Sequence, residues 1–418
     1  MLRLSGSALL ILFITGISSA DNWPAWRGLH GDGSSAEKKL PLKWSPTENV
    51  RWKVKLPGPG SSTPIIWGDR IFLTQSLNKE GSERAVMCFD RSEGKLLWQK
   101  SIPFEGKEST HATNPYCSAS PVTDGERVIA SMGSAGVVCY DFEGKQLWQR
   151  DLGIFEHVWG TAAAPILYGD LVILNCGPGE RTFLLAMNKK TGEDVWKIEI
   201  PGGDRDNKKG GGWIGSWSTP RIVSVDGKDQ LIMSWPMAVK AHDPKDGTVL
   251  WECEGLTRLV YTSPLISSDA VVAMSGYGGS AVAVKLGGKG DVTTTHRLWH
   301  HSKQNPQRIG SGVIVGDHVY MANAGPGTVQ CIEVRTGKQL WDTQRLGNSH
   351  WGSIVHADGK LFVTDQNGDT HIFAAKPEFE SLGKNRLGEH TDASIAISNG
   401  ELFIRTYQHL WCIGEAKK

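Results

Sequence analysis

The chain has 418 residues, with 45 Lys and Arg against 44 Asp and Glu and a formal net charge of +1. A balance this even excludes bulk electrostatic attraction to nucleic acid or to an anionic membrane surface. A length near 400 suits two or three domains on general grounds, but internal repeats account for nearly all of it as one.

The first twenty residues read as a secretory signal peptide, with Arg3 at the positive start, Ala8 to Ile17 as the apolar core and Ser18-Ser19-Ala20 as the small-residue cleavage site. The apolar run is too short to span a bilayer. Cleavage is expected after Ala20, and no Cys follows it, which argues against a lipoprotein anchor. A periplasmic or secreted protein with no transmembrane segment is expected. Residues 21–49 form a lead-in whose Trp23 and Trp26 are expected to dock on the side of the fold. Residues 50–56 read as a strand that ends a repeat, although no repeat precedes it.

From there the chain repeats one unit. Ala186 to Trp196 has a small residue, Asn188 two positions on, Gly192 six on and Trp196 ten on. Cys88 to Trp98, Ala241 to Trp251 and Cys331 to Trp341 follow the same spacing, and Cys139 to Trp148 lacks one turn residue. The small residue marks a strand buried on both faces. The Asp, Asn or Glu caps a tight turn through backbone N–H groups, Gly supplies positive φ there, and the Trp ends the next strand and packs on the neighbouring unit. A second hairpin precedes each of these, as in Thr63-Pro64…Gly68-Asp69…Leu73, Ala164-Pro165…Gly169-Asp170…Leu174 and, without proline, from Gly312 and Ser353.

Two hairpins make a four-stranded meander, recurring every 42 to 55 residues by the Trp positions. That is the signature of a β-propeller. Inner strands near Ser62, Ser118, Thr161, Ser218, Thr262, Gly312, Ser353 and Ser394 predict an all-β, eight-bladed propeller of four-stranded antiparallel blades over residues 50–414, with a short tail at 415–418. The last repeat lacks its outer strand, which residues 50–56 supply, closing the ring and removing its open edges.

Cys88, Cys139, Cys331 and Cys412 occupy the small-residue position on different blades, too far apart to bridge. A Cys117–Cys176 disulfide between neighbouring blades stays open. No cysteine or histidine set has zinc-like spacing, so no metal site is expected. His111, His157, His350 and His390 fall as two pairs on different sides of the ring.

The short hairpin turns share one face and read as scaffold. The other face carries long blade-to-blade linkers and Gly-rich middle turns, where function tends to sit. Just before the inner strands, these linkers deliver His111, Asn114, His157, Trp159, Trp213, Trp217, Arg258, Tyr261, Arg308, His350 and Trp351. A ring of that kind suits a flat ligand stacked on Trp and held by Arg and His. Trp159, Trp217 and Trp351 also recur at equivalent places, as blade-packing residues would, and each histidine is equally suited to a local backbone carbonyl. Arg205, Lys208 and Lys209 read as a solvated loop tip.

The Ala/Cys-x-Asp/Asn…Thr/Ser-Gly-x-x-x-Trp units, the opening Trp23-Pro24-Ala25-Trp26-Arg27-Gly28 and the stretch from His111 to Pro121 resemble the pyrroloquinoline quinone (PQQ)-like propeller repeat family over nearly the whole mature chain. The resemblance implies fold more than function. The family includes quinoprotein alcohol and glucose dehydrogenases, and a non-enzymatic propeller of the outer-membrane β-barrel assembly machinery that works by protein contact. This chain has no adjacent Cys pair, no Cys-x-x-Cys-His haem module and no alignable Glu, Asn and Asp trio for calcium, so no catalytic residue is carried over. The expectation is a monomeric binding or protein-interaction scaffold using its loop-rich face, with an envelope or secreted protein, or a glycan, as partner. The alternatives are a PQQ- and calcium-dependent dehydrogenase of an alcohol or sugar, and a polysaccharide hydrolase or lyase using Asp392 and Glu156 as paired carboxylates.

Overall fold

A computed structural model describes residues 22–200, 213–302 and 306–415. The signal segment and the Arg205, Lys208 and Lys209 cluster lie outside the described residues. The chain forms an eight-bladed β-propeller of four-stranded antiparallel sheets. Blade 1 runs Ile65–Trp67, Arg70–Ser76, Glu83–Asp90 and Leu96–Pro103 from the centre outward. The inner strands of blades 2 to 8 are Val122–Thr123, Ile166–Tyr168, Arg221–Val225, Leu265–Ile266, Val313–Val315, Val355–Ala357 and Ala396–Ser398. Among the described residues no helix is long and apolar enough to cross a membrane.

The recurring unit has a simple structural cause. The small residue lies directly opposite the Trp in the antiparallel pair: Cys88 faces Trp98, Cys139 faces Trp148, Ala186 faces Trp196 and Cys412 faces Trp52. A larger side chain there would displace the indole. The Trp sits near the start of its strand rather than at its end, as in Leu96–Pro103, so its ring reaches the next blade's turn. The indole N–H of Trp98 donates to Phe142 O at 2.8 Å, that of Trp148 to Lys189 O at 3.0 Å and that of Trp299 to Val334 O at 2.8 Å. The turn glycine is held against the ring: a Cβ on Gly192 would lie 2.7 Å from Trp148. Trp251 departs from this and bonds Gln230 of its own blade at 2.9 Å. The following blade has no matching turn. Instead it sends Gly290–Asp291 back, parallel to the outer strand Val249–Glu254.

Apolar burial lies between blades rather than at one centre. Phe72 and Val86 of blade 1, for example, pack with Val128 and Tyr140 of blade 2. All seven cysteines are free and buried. Cys117 lies in the blade 1–2 core and Cys176 in the blade 2–3 core, so the Cys117–Cys176 bridge left open by the sequence does not form.

The ring closes where the sequence places it. Val50–Lys55 pairs antiparallel with His409–Ile413. The buried Arg405 of blade 8 donates to Thr74 O at 2.9 Å and Gln75 Oε1 at 2.6 Å in blade 1. Arg91 of blade 1 returns an ion pair to Glu401 at 2.9 Å.

The centre is held by a ring of hydroxyls. The backbone N–H of Thr219 donates to Ser263 Oγ, that of Ser263 to Ser311, of Ser311 to Ser353, of Ser353 to Ser394 and of Ser394 to Thr63, all between 2.8 and 3.0 Å. Thr63 N–H continues to Ser120 Oγ at 2.8 Å, and Ala164 N–H to Thr219 Oγ1 at 3.0 Å. These are the residues just before each inner strand, followed by Pro at Thr63, Ser120, Thr219 and Ser263 and by Gly or Ile at Ser311, Ser353 and Ser394. Each hydroxyl satisfies an N–H at the channel wall that has no further strand to pair with.

Candidate functional site

Trp23 and Trp26 do not dock on the propeller's side as expected, although Leu42 and Trp44 further along the lead-in do hydrogen-bond Asn385 on the outer strand of blade 7; the first part of the lead-in turns inward. That first part enters the central channel from the face of the short hairpin turns. Trp23 bridges Ile66 of blade 1, and Thr123 N–H of blade 2 donates to Pro24 O at 2.9 Å. Ser34–Ser35 runs parallel to the inner strand of blade 7. Arg27, buried in the channel, donates to Ile354 O at 2.7 Å, Gly312 O at 2.5 Å and Asp32 O at 2.8 Å. Burial lowers its pKa to about 9. The segment closes that mouth and leaves Trp26 at the base of a cavity of about 460 Å³ that opens on the loop-rich face.

The cavity has two unlike halves. Blades 3 to 5 supply an aromatic wall of Trp159, Trp217, Tyr261 and Tyr277. Trp159 and Tyr277 lie nearly parallel, with centroids 5.9 Å apart and planes 14° apart. Tyr261 packs edge-on against Trp217 at 4.9 Å, and its buried hydroxyl has no partner among the described residues. The other side carries Gln307, Gln366, Asp392 and Trp351 from blades 6 to 8, with His111 and Asn114 at the blade 2 edge.

The wall is positioned from behind. Asn114 donates through Nδ2 to Trp159 O at 2.5 Å, and Trp217 Nε1 to Gly160 O at 2.8 Å. His157 sits buried beneath, its centroid 5.5, 4.6 and 4.8 Å from those of Trp159, Trp213 and Trp217. Its Nδ1 accepts the Trp159 N–H at 3.2 Å. Asp392 is fixed from three directions, by Tyr407 OH at 2.5 Å, Gln366 Nε2 at 2.8 Å and His390 Nε2 at 3.3 Å. Its hydrogen bond raises the His390 pKa. Burial and then the Asp392 charge push the Tyr407 phenol well above its ordinary value.

Of the residues singled out in the sequence, His111, Asn114, Trp159, Trp217, Tyr261 and Trp351 line the cavity. His157, Trp213, Arg258, Arg308 and His350 stand off its wall. Arg308 and His350 are buried behind it, where burial lowers their pKa values to about 10 and about 4. The expected grip of arginine on a ligand is therefore not formed at this wall. The sequence reading missed Trp26, Tyr277, Gln307 and Gln366. Tyr277 had a signal, as the one large residue in the turn from Gly276 to Gly279. Asp392 lines the cavity, but Glu156 is exposed on its linker and absent from the wall. The paired carboxylates a glycosidase needs are not brought together among the described residues.

A PQQ site calls for cations or a bound metal against three carboxylates. Among the described residues lining the cavity there is no Lys or Arg, and Asp392 is the one carboxylate, too few for the several anionic and carbonyl oxygens that a bound calcium needs. The residues present do not fit that group.

Residues 45–211 and 215–343 match the family described as outer membrane protein assembly factor BamB. The chain is 24% identical over 328 residues to the tetrathionate hydrolase of Acidithiobacillus ferrooxidans, covering 76% of this chain but only about half, 52%, of that protein. It is 22% identical over 330 residues to BamB of Burkholderia pseudomallei, covering 76% of each. Among solved structures, the quinohemoprotein alcohol dehydrogenase of Comamonas testosteroni superposes with a TM-score of 0.68 at 12% identity, over 95% of this chain and 81% of that one. That likeness is one of fold.

Proposed function

The chain belongs to the family described as outer membrane protein assembly factor BamB, and on that premise we propose that it is a non-catalytic interaction propeller of the cell envelope. It acts as a periplasmic or secreted monomer after cleavage behind Ala20, and it binds a protein partner on its loop-rich face.

The observation that carries this reading is the apolar rim beside the cavity. Ile154 and Val158 on the linker into blade 3 and Met237 in the middle turn of blade 4 are 38%, 38% and 53% exposed. Exposed apolar residues grouped on one face favour a protein contact over solvent. Among the described lining residues Asp392 is the one carboxylate, with no second carboxylate beside it for acid–base work.

The test is affinity capture from an envelope extract with the mature protein and with an Ile154→Ser, Met237→Ser double variant, neither residue lining the cavity. Specific recovery by the wild type that the variant loses supports the reading. Equal recovery by both removes this face from consideration.

A further inference from the structure

The cavity itself carries a more specific conclusion. It rests on the loop-rich face being a binding surface, but it concerns the interior and not the rim. We propose that the cavity takes a neutral sugar, one or two rings in size, and that it takes a glycan by its end.

The two halves of the cavity argue for a ligand with two unlike faces. A sugar ring has an apolar face of C–H groups and an edge of hydroxyls. The Trp159–Tyr277 surface, backed by Trp217 and Tyr261, suits the first through C–H contacts with aromatic faces. Gln307, Gln366 and Asp392 across the cavity suit the second, since amides and a carboxylate both accept hydroxyl hydrogens. Asp392 is already held in place by Tyr407 and His390, so a ligand hydroxyl meets an oriented acceptor.

Charge sets the ligand class. With no Lys or Arg among the described lining residues, an anionic ligand would lose its hydration without a counter-charge and would face Asp392. An extended peptide is disfavoured for another reason. Its backbone N–H and C=O groups need partners along its length, and the inner-strand N–H groups at Thr63, Thr219, Ser353 and Ser394 are already spent on the hydroxyl ring.

Size and access set how the sugar enters. A volume near 460 Å³ lies toward the lower end of the roughly 300–1,000 Å³ typical of small-molecule sites. The lead-in closes the opposite mouth, so a polymer cannot thread through and enters only by a terminus.

The test follows intrinsic Trp fluorescence of the full mature protein. It is titrated with glucose, mannose, galactose, N-acetylglucosamine, maltose and cellobiose, and with glucuronate as the charged control. The expected result is saturable binding of at least one neutral sugar, weakened about tenfold or more by Trp159→Ala and by Gln307→Ala. Gln307→Ala leaves the aromatic packing intact and guards against a folding defect. Glucuronate is expected to bind at least about tenfold more weakly than glucose-type sugars. A parallel arm presents the preferred unit on beads, tethered through the reducing end of an oligosaccharide. Retention there assigns the source as a glycan end, and binding of the free sugar alone assigns a small solute. No saturation by any neutral sugar up to about 10 mM, equal affinity for glucuronate, or unchanged binding in both variants overturns the proposal. Absence of sugar binding with partner capture intact refutes this inference alone. Sugar binding with capture equal in the rim variant refutes only the protein-partner reading.

Discussion

Ser120 and Ala164 stand at the one break in the inner hydroxyl ring. Thr63 N–H donates to Ser120 Oγ at 2.8 Å, and Ala164 N–H donates onward to Thr219 Oγ1 at 3.0 Å. Between them the blade 2 to blade 3 step lacks its bond, because Ala164 has no hydroxyl to accept the Ser120 N–H.

Ala164→Ser is therefore expected to stabilise the protein. A buried hydrogen bond contributes about 0.5–1.5 kcal/mol net, and the same geometry already holds serine at five other ring positions. The reverse change, Thr63→Val, strands the Ser394 N–H at the point of ring closure and is expected to cost about 1–3 kcal/mol. Urea midpoints of the two variants, measured against wild type, check both signs. A destabilised Ala164→Ser would mean that the gap is filled by packing.

The turn glycines give a paired test. Gly192 has φ of +75° and would place a Cβ 2.7 Å from Trp148, whereas Gly169 has φ of +55° with open space around it. Gly169→Ala carries only the backbone penalty, about 1 kcal/mol. Gly192→Ala adds displacement of the Trp148 ring and is expected to cost about 2–4 kcal/mol. Equal losses in melting experiments would show that the Trp148 ring gives way freely.

These positions also show what the sequence makes legible. The small residue, the turn Gly and the Trp each answer a demand that few residue types meet, so the blade count and the closing strand can be read directly. The hydroxyl ring uses equally specific residues, but its partners lie 41 to 57 residues apart in the chain, and 331 at the closing bond, and nothing local announces the bond. The cavity was half legible for a geometric reason. In an extended linker successive side chains alternate sides, so Trp351 reaches the cavity while its neighbour His350 is buried behind it. Polar type alone does not fix that phase. Trp26 was missed because the lead-in enters the channel, and Trp-Pro-Ala-Trp reads the same whether it packs outside or plugs the centre.

The plug hangs on Arg27. Its guanidinium satisfies carbonyls of blades 6 and 7, Gly312 O and Ile354 O, and a Cβ on Gly33 would collide with it. Arg27→Ala leaves these buried carbonyls unpartnered, an expected cost of about 1–3 kcal/mol. The stretch between Trp23 and Ser34 should then loosen before the propeller melts, since it is held mainly at its two ends, by the Trp23–Ile66 bridge and the Ser34–Ser35 pairing. Limited proteolysis is expected to cut between Asn22 and Glu37 in Arg27→Ala while the blades stay protected. Resistance equal to wild type would mean that Trp23 and the Ser34–Ser35 pairing suffice.

Acid sensitivity should trace in part to His350. Burial, with nearby His371 adding and Asp365 opposing, holds its pKa down at about 4 against an ordinary value of 6.5. Between those values the unfolded chain binds a proton that the folded protein refuses, so stability falls as pH drops through that window and is flat above it. One such group contributes a slope approaching 1.4 kcal/mol per pH unit, about the free energy of one pKa unit. Asp365, held down at about 2 by His371 and backbone N–H groups despite burial, acts only at lower pH, where its stabilisation is lost as it protonates. His350→Gln should therefore lose less stability than wild type between about pH 7 and about pH 5, whatever its stability at the upper value. His242 and His356, also lowered by burial, keep part of the slope in the variant. Identical losses in the two proteins, measured by urea unfolding, would place the acid response on those two histidines and on His301, which burial also lowers.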